Sequence, residues 1–308
     1  MRILVLGAGG HLGGHVAARL GSLPGTRVLT GGRSAGCDVR ADLAADSPDR
    51  LARALATAAP DAVVNCAGAT GGDPVTLAEA NARGPAALCA ALGRALPAAR
   101  LVHLGSAAEY GPGAPGDRTP ESAPTRPLAP YGATKLAGTV AVTSSGLDAV
   151  VLRVGNPVGP GAPRTGLPGR VAALLREAGD GPDAVVRLGD LSAYRDFVDV
   201  RDVARAVEAA VTAPRPLPPV LNVGGGRAVR VRTLVRALAD TAGFAGRVEE
   251  SASGSARSER VSWQCSDIRA ARDALGWRPA YGLHDSLAAL WAAGPPEPTP
   301  APRSEAAP

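Results

Sequence analysis

Residues 1–13, MRILVLGAGGHLG, constrain the chain more than any other stretch. A run of branched apolar residues stops on Gly7-Ala8-Gly9-Gly10, and a helix-forming segment follows at once. An uninterrupted apolar run is the pattern of a strand buried on both faces, as in a parallel sheet. The run is too short for the core of a signal peptide. Glycines at 7, 10 and 13 allow a tight turn, a close approach of backbone to ligand, and hard packing of the helix on the strand. The start of a helix behind such a loop gathers unpaired N–H groups and the positive end of the helix dipole, which suits a phosphate.

The same texture repeats along the chain. Apolar runs at 3–6, 28–30, 62–65, 101–104 and 149–154 alternate with helix-patterned stretches such as 16–20, 49–58 and 86–96. That order predicts βαβ units, and with the glycine loop it predicts an α/β, Rossmann-type doubly wound parallel sheet. With aromatics at only 3%, the core has to be aliphatic. Residues 1–155 are expected to form the dinucleotide-binding domain, to which 197–225 return through a strand near 197–200, a helix from 202 to 213 and a strand at 220–223. Gly and Pro crowd 155–170, and a smaller, discontinuous C-terminal substrate-binding part is expected from 156–196 and 226–293. The Pro/Ala-rich 294–308 has no core-forming pattern and is expected to be a disordered tail.

A net charge of +5 without a dense Lys/Arg run argues against a nucleic-acid partner. No stretch reaches the ~20 apolar residues of a membrane span. The four cysteines, Cys37, Cys66, Cys89 and Cys265, form no C-x-x-C pair and read as small buried hydrophobes. The expectation is a cytoplasmic protein that binds a small molecule. His11, His15, His103 and His284 lack metal-ligand spacing, so no metal is expected.

The loop assigns Gly7, Gly10, His11, Leu12 and Gly13 to the pyrophosphate of a nicotinamide dinucleotide. Where an acidic residue would take the ribose hydroxyl of NAD, about 20 positions on, the chain reads Gly31-Gly32-Arg33. Arginine forms charge-assisted bonds to a 2′-phosphate, so NADP(H) is favoured over NAD(H). Asp42 and Leu43 lie where side chains could meet the adenine, with a capping or surface role as the alternative.

Tyr131 and Lys135 stand four apart, on one face of a helix that Pro130 starts. A tyrosine ionises near ~10, and a neighbouring ammonium lowers that value enough for general acid–base work. Ser106 ends the strand-like 101–105 at the edge where α/β sheets bind ligands, and its hydroxyl can bond a substrate carbonyl. The simpler role for Ser106 is a turn cap.

Together these residues resemble the extended short-chain dehydrogenase/reductase family, the branch with nucleotide-sugar epimerases, dehydratases and ketoreductases. The resemblance runs to about Pro279 and includes Asn65-Cys66-Ala67-Gly68, Asn81 before Gly84, and Gly105-Ser106-Ala107-Ala108-Glu109-Tyr110-Gly111. It continues through Tyr131/Lys135, Arg153-Val154-Gly155-Asn156-Pro157, Arg195-Asp196-Phe197-Val198-Asp199-Val200, Asn222-Val223-Gly224-Gly225-Gly226 and Leu275-Gly276-Trp277-Arg278-Pro279. It implies that Ser106, Tyr131 and Lys135 are catalytic, and that Cys66, Ala67, Gly68 and Asn81 lie at the cofactor with Tyr131 and Lys135. It also implies that Ser106, Ala107 and Asn156 touch substrate, that Arg195 and one of Arg257 or Arg260 clamp its phosphates or nucleotide, and that the protein is a homodimer.

Dehydratases of the family carry an Asp-Glu pair directly after the hydroxyl residue; here Ala107 and Ala108 stand there and cannot move protons. Glu109, one residue further, is expected to point elsewhere. The leading expectation is an NADPH-dependent ketoreductase acting on a nucleotide-linked 6-deoxy sugar, with Tyr131 as general acid. The alternatives are a nucleotide-sugar 4-epimerase, a reductase of a non-sugar ketone, or, more remotely, a dinucleotide-sensing protein without turnover.

Overall fold

The computed structural model describes residues 1–179, 181–214, 216–251 and 261–294. Along the chain come β1 (Arg2–Leu6), α1 (His11–Gly21), β2 (Arg27–Gly32), β3 (Val39–Arg40), α2 (Pro48–Ala58) and β4 (Ala62–Asn65). Then α3 (Pro74–Ala78) runs through a π turn at Glu79–Arg83 into α4 (Gly84–Ala95). β5 (Arg100–Ser106) leads through a 3₁₀ turn at Ala107–Glu109 to α5 (Pro130–Thr143), β6 (Ala149–Val154), β7 (Asn156–Val158) and α6 (Leu167–Ala178). The rest holds β8 (Val185–Leu188), β9 (Tyr194–Asp199), α7 (Val200–Thr212), β10 (Val220–Val223), β11 (Ala228–Arg230), α8 (Val231–Ala242), β12 (Arg247–Glu250), α9 (Arg269–Leu275) and α10 (Leu283–Ala292).

Seven strands form one sheet in the order β10-β6-β5-β4-β1-β2-β3, every pair parallel. Strand order reverses between β1 and β4, and ligands bind at the carboxyl ends beside such a switch point. Gly7, Cys66 and the Ser106 end of β5 lie there. Alternation along the strands explains their uniform apolarity. Ile3, Val5, Val64 and Val102 pack with Val16 of α1 and Val203 and Val207 of α7. Leu4, Leu6, Val63 and Leu101 pack with Leu51 of α2, Leu88 of α4 and Val142 of α5. Among the described residues no helix is long and apolar enough to cross a membrane.

The reading of 197–225 as a return to this sheet needs one correction. β10 joins it beside β6 and α7 packs against it, but β9 pairs in parallel with β7 and antiparallel with β11 in a separate three-stranded sheet. β6 already has β5 and β10 on its two edges, so β9 has no place next to it. A third apolar cluster lies under this small sheet, built by α6, α8 and α10 with the two-stranded β8/β12.

The segment after α9 returns to the main core. Trp277 is 2% exposed and belongs to the same cluster as Ile3 and Val5. Its indole N–H donates to Asp202 O at 2.9 Å. The Asp202 carboxylate, at the start of α7, accepts the backbone N–H groups of Ala280 and Tyr281 at 3.0 Å each.

Candidate active site

The glycine loop is shaped by what its residues lack. Gly7 has φ of +78°, where a side chain strains the backbone, and a Cβ there would lie 2.8 Å from Ala67 N. A Cβ on Gly13 would lie 2.0 Å from Gly7 O. The loop is therefore closed between α1 and the turn after β4. Helix α1 has Gly10 as N-cap and no side-chain cap, so its first-turn amides lack a side-chain acceptor. A cradle that any Cβ would fill, under an uncapped helix start, fits the pyrophosphate of a dinucleotide.

Other cofactor candidates separate into two groups. Arg33 is exposed in the turn after β2. The same turn brings up an acid that sequence reading passed over: Thr30 N and Oγ1 both donate to Asp38 Oδ2 at 2.8 Å. Both signs of charge thus stand at the end of β2. Asp42 is occupied in a turn, accepting from Ala44 N at 3.0 Å, and Leu43 is a buried member of the second core cluster. Arg83 donates to the carbonyls of Leu43, Ala44, Ala45 and Asp46 and so holds that loop. His11 turns its ring to the loop before α6, with Nε2 2.9 Å from Pro160 O; His15 Nε2 is 3.0 Å from the same oxygen. Burial pushes the His11 pKa down.

The turn after β4 carries Cys66, Ala67 and Gly68. Ala67 N donates to Asn65 Oδ1 at 3.0 Å, while Asn65 Nδ2 meets His103 Nδ1 at 3.1 Å. Asn81, on the π turn, accepts from Ala69 N at 2.9 Å and donates to Ala69 O at 2.8 Å and to Thr134 Oγ1 at 3.3 Å. Asn81 thereby ties the cofactor-side turn to α5. Gly138 lets this happen, since a Cβ there would lie 2.2 Å from Asn81 O.

Helix α5 carries Tyr131 and Lys135 on one face, and its first turn abuts the 3₁₀ turn after β5: a Cβ on Gly132 would lie 2.5 Å from Ala108 O. Lys135 is 6% exposed and donates from Nζ to Leu104 O at 2.5 Å. A Cβ on Gly68 would stand 3.9 Å from that nitrogen, so the ammonium reaches the turn after β4. Burial pushes the Lys135 pKa down, and Glu109 and Cys66 push it back up. Burial also takes the Cys66 thiol up to about 12 and His103 well below its ordinary value, so both are neutral at pH 7.

Ser106 is a cap, and this does not consume its chemistry. Its Oγ accepts from Ala108 N at 3.2 Å, which leaves the hydroxyl hydrogen to donate. Glu109 folds back under the strand end. It is 0% exposed, takes Ser106 N on Oε1 at 2.7 Å and Arg153 Nε on Oε2 at 2.7 Å. The Ser106-x-x-Glu109 spacing is that of a capping box, the one signal in the sequence that would have found it.

On the substrate side, Ala107 is buried in the 3₁₀ turn. Asn156 donates to Gln264 Oε1 at 2.7 Å and Asp196 O at 3.2 Å. Arg195 is 8% exposed, bonds Tyr194 O at 2.8 Å and has no carboxylate partner among the described residues; burial lowers its pKa. Asp196, next to it, is pushed up to about 6 by burial. Arg257 and Arg260 lie outside the described residues, as do 295–308 of the expected tail. Among the described residues no group of three or more His, Cys, Asp or Glu side chains is placed to hold a metal.

A glycine-cradled helix start and a buried lysine behind a tyrosine, at the switch point of a parallel sheet, define a dinucleotide-dependent oxidoreductase of Rossmann type. The chain belongs to the NAD dependent epimerase/dehydratase family, whose profile matches residues 3–224. It is 38% identical over 304 residues, 95% of each chain, to the dTDP-6-deoxy-L-talose 4-dehydrogenase (NAD(P)(+)) of Kitasatospora kifunensis. It is 27% identical to the GDP-6-deoxy-D-mannose reductase of Pseudomonas aeruginosa, over 94% of this chain and 95% of that one. Among solved structures, the Thermus thermophilus UDP-glucose 4-epimerase in complex with NAD superimposes with a TM-score of 0.80 at 27% identity, over 95% of this chain and 98% of that one.

Proposed function

We propose that this chain transfers hydride at C4 of a nucleotide-linked sugar, with Tyr131 exchanging the proton. The observation that carries the reading is Lys135, buried with its ammonium against the β5 strand end on the helix that also bears Tyr131. A bound nicotinamide dinucleotide supplies or accepts the hydride. In the reducing direction the Ser106 hydroxyl donates to the keto oxygen and polarises it. Tyr131 gives its proton to that oxygen, and Lys135 stabilises the phenolate left behind. Ala107 and Ala108 offer no acid or base for loss of water. Arg195, buried without a carboxylate partner among the described residues, suits an anionic group such as the substrate diphosphate, with Asn156 beside it. Arg33 supports NADP(H), and Asp38 in the same turn supports NAD(H) no less.

Two net outcomes share this chemistry. Net oxidation or reduction of a 6-deoxy sugar is supported by the full-length likeness to the talose 4-dehydrogenase and the mannose reductase. Epimerisation at C4 draws the broader support, since nucleotide-sugar 4-epimerases recur among the relatives at 27–32% identity. Incubation with NADPH or NADH and a nucleotide-linked 4-keto-6-deoxy sugar separates them. Stoichiometric loss of reduced-cofactor absorbance means net reduction. A C4 epimer formed from a nucleotide hexose without such loss means epimerase. Neither product across dTDP-, GDP- and UDP-sugars overturns the proposal.

A further inference from the structure

One buried carboxylate lies behind the proton-transfer pair with no part in the chemistry described so far. Glu109 bonds two neighbouring strands. Its Oε1 holds the backbone N–H of Ser106, and its Oε2 holds Arg153 of the neighbouring strand β6, each at 2.7 Å. Lys135 of α5 donates to Leu104 O of the same strand end, two residues before the Ser106 N–H that Glu109 holds, and the Glu109 charge opposes the effect of burial on that ammonium. The site is shaped for it: a Cβ on Gly105 would lie 2.8 Å from Oε1 and 2.7 Å from Val151 Cγ1, so only glycine leaves the carboxylate room against the strand. The Arg153 guanidinium lies 4.5 Å over the Tyr110 ring, whose hydroxyl donates to Asn222 Oδ1 at 2.8 Å. The carboxylate is thereby anchored from the far side.

The groups that bear on the Lys135 ammonium are few. Cys66 from the turn after β4 and His103 from β5 are neutral at pH 7, and Tyr131 shares the helix. The Glu109 carboxylate is the charge that opposes the effect of burial on Lys135. A buried ammonium without a counter-charge gives up its proton. The hydroxyl that polarises the substrate and the cation that tunes the tyrosine thus depend on the same side chain.

Resting on the assignment of Ser106, Tyr131 and Lys135 to catalysis, we propose that Glu109 is a positioning residue. Its carboxylate pins the strand end that presents Ser106 and serves as the counter-charge that keeps Lys135 an ammonium.

The test compares Glu109→Gln, Glu109→Asp and the double variant Glu109→Gln/Arg153→Met with the wild type. The first readout needs no turnover. With four tyrosines in the chain, the alkaline absorbance titration of each protein minus that of its Tyr131→Phe counterpart isolates Tyr131. Ionisation of Tyr131 is expected to move up by about one pH unit in Glu109→Gln and to return most of the way in Glu109→Asp. The double variant removes the ion pair as a whole, so no Arg153 charge is left buried alone, and it is expected to keep the upward shift. The second readout is the pH profile of the oxidative reaction, whose rising limb should move with the titration. If Glu109→Gln and the double variant titrate like the wild type while Tyr131→Phe is inactive, the proposal falls and the catalytic assignment stands. If Tyr131→Phe keeps full turnover, the catalytic assignment falls, and the proposal with it. If only Glu109→Asp folds, the carboxylate is a folding element and the proposal is overturned.

Discussion

The two ends of the candidate active site are built by opposite means. At the cofactor end the chain clears space: Gly7 and Gly13 leave no atom where a Cβ would collide, and an uncapped helix start supplies backbone amides. At the proton-transfer end it fills space with charge, stacking Lys135, Glu109 and Arg153 out of water. The first design tolerates no added carbon, and the second tolerates no missing charge. Overpacking a closed loop costs about 1–3 kcal/mol. Removing one member of a buried pair costs ~3–5 kcal/mol, because the other charge is left uncompensated.

Four substitutions sharpen or break this contrast. The largest effect belongs to the proton donor: Tyr131→Phe should lower kcat by ~10²–10⁴-fold with the fold intact, measured as steady-state turnover beside circular dichroism. Retained turnover would remove the tyrosine from the chemistry. Gly13→Ala should weaken dinucleotide binding by about 100-fold and destabilise the chain by ~1–3 kcal/mol, read by calorimetric titration and thermal melting. An unchanged affinity would mean the cradle is not the cofactor's seat. Arg195→Met is expected to raise KM for the nucleotide sugar by ~10–100-fold with little change in kcat, since a charged hydrogen bond to the anion is lost. An effect on kcat alone would move Arg195 from anchoring to catalysis. The smallest change is expected from Arg33→Ser, which should reduce any preference for NADPH over NADH by about tenfold in kcat/KM. A preference that does not move would point to Asp38 as the arbiter.

How much of this was legible in the sequence follows the same division. The glycine loop could be read because its parts are consecutive and each glycine answers a local steric demand. The main strands were legible for a related reason, since a parallel sheet covered on both faces needs unbroken apolar runs. β9 was not, because YRDFVD contains an apolar strand pattern but no signal of which sheet it joins; the occupied edges of β6 decide that. Asp42 and Leu43 were open between the adenine and a capping or surface role; Asp42 accepts from Ala44 N in a turn and Leu43 packs into the second core cluster. Asp38 escaped because the turn after β2 folds it back on Thr30. Glu109 escaped for a different reason. Its position told only that it points elsewhere than Ala107 and Ala108; where it points is set by the 3₁₀ turn after Ser106, which tucks the carboxylate under the strand end. The capping-box spacing recorded that turn in plain sight.

The place of Trp277 has a consequence for the order in which the protein is made. This indole sits in the same apolar cluster as Ile3 and Val5, at opposite ends of the chain, and Asp202 collects the amides of residues 280 and 281. β1 therefore waits for the segment after α9, which is synthesised much later, before its own surroundings are complete. Until then the amino-terminal half has a sheet but not a sealed interior, and it depends on not meeting another unfinished copy.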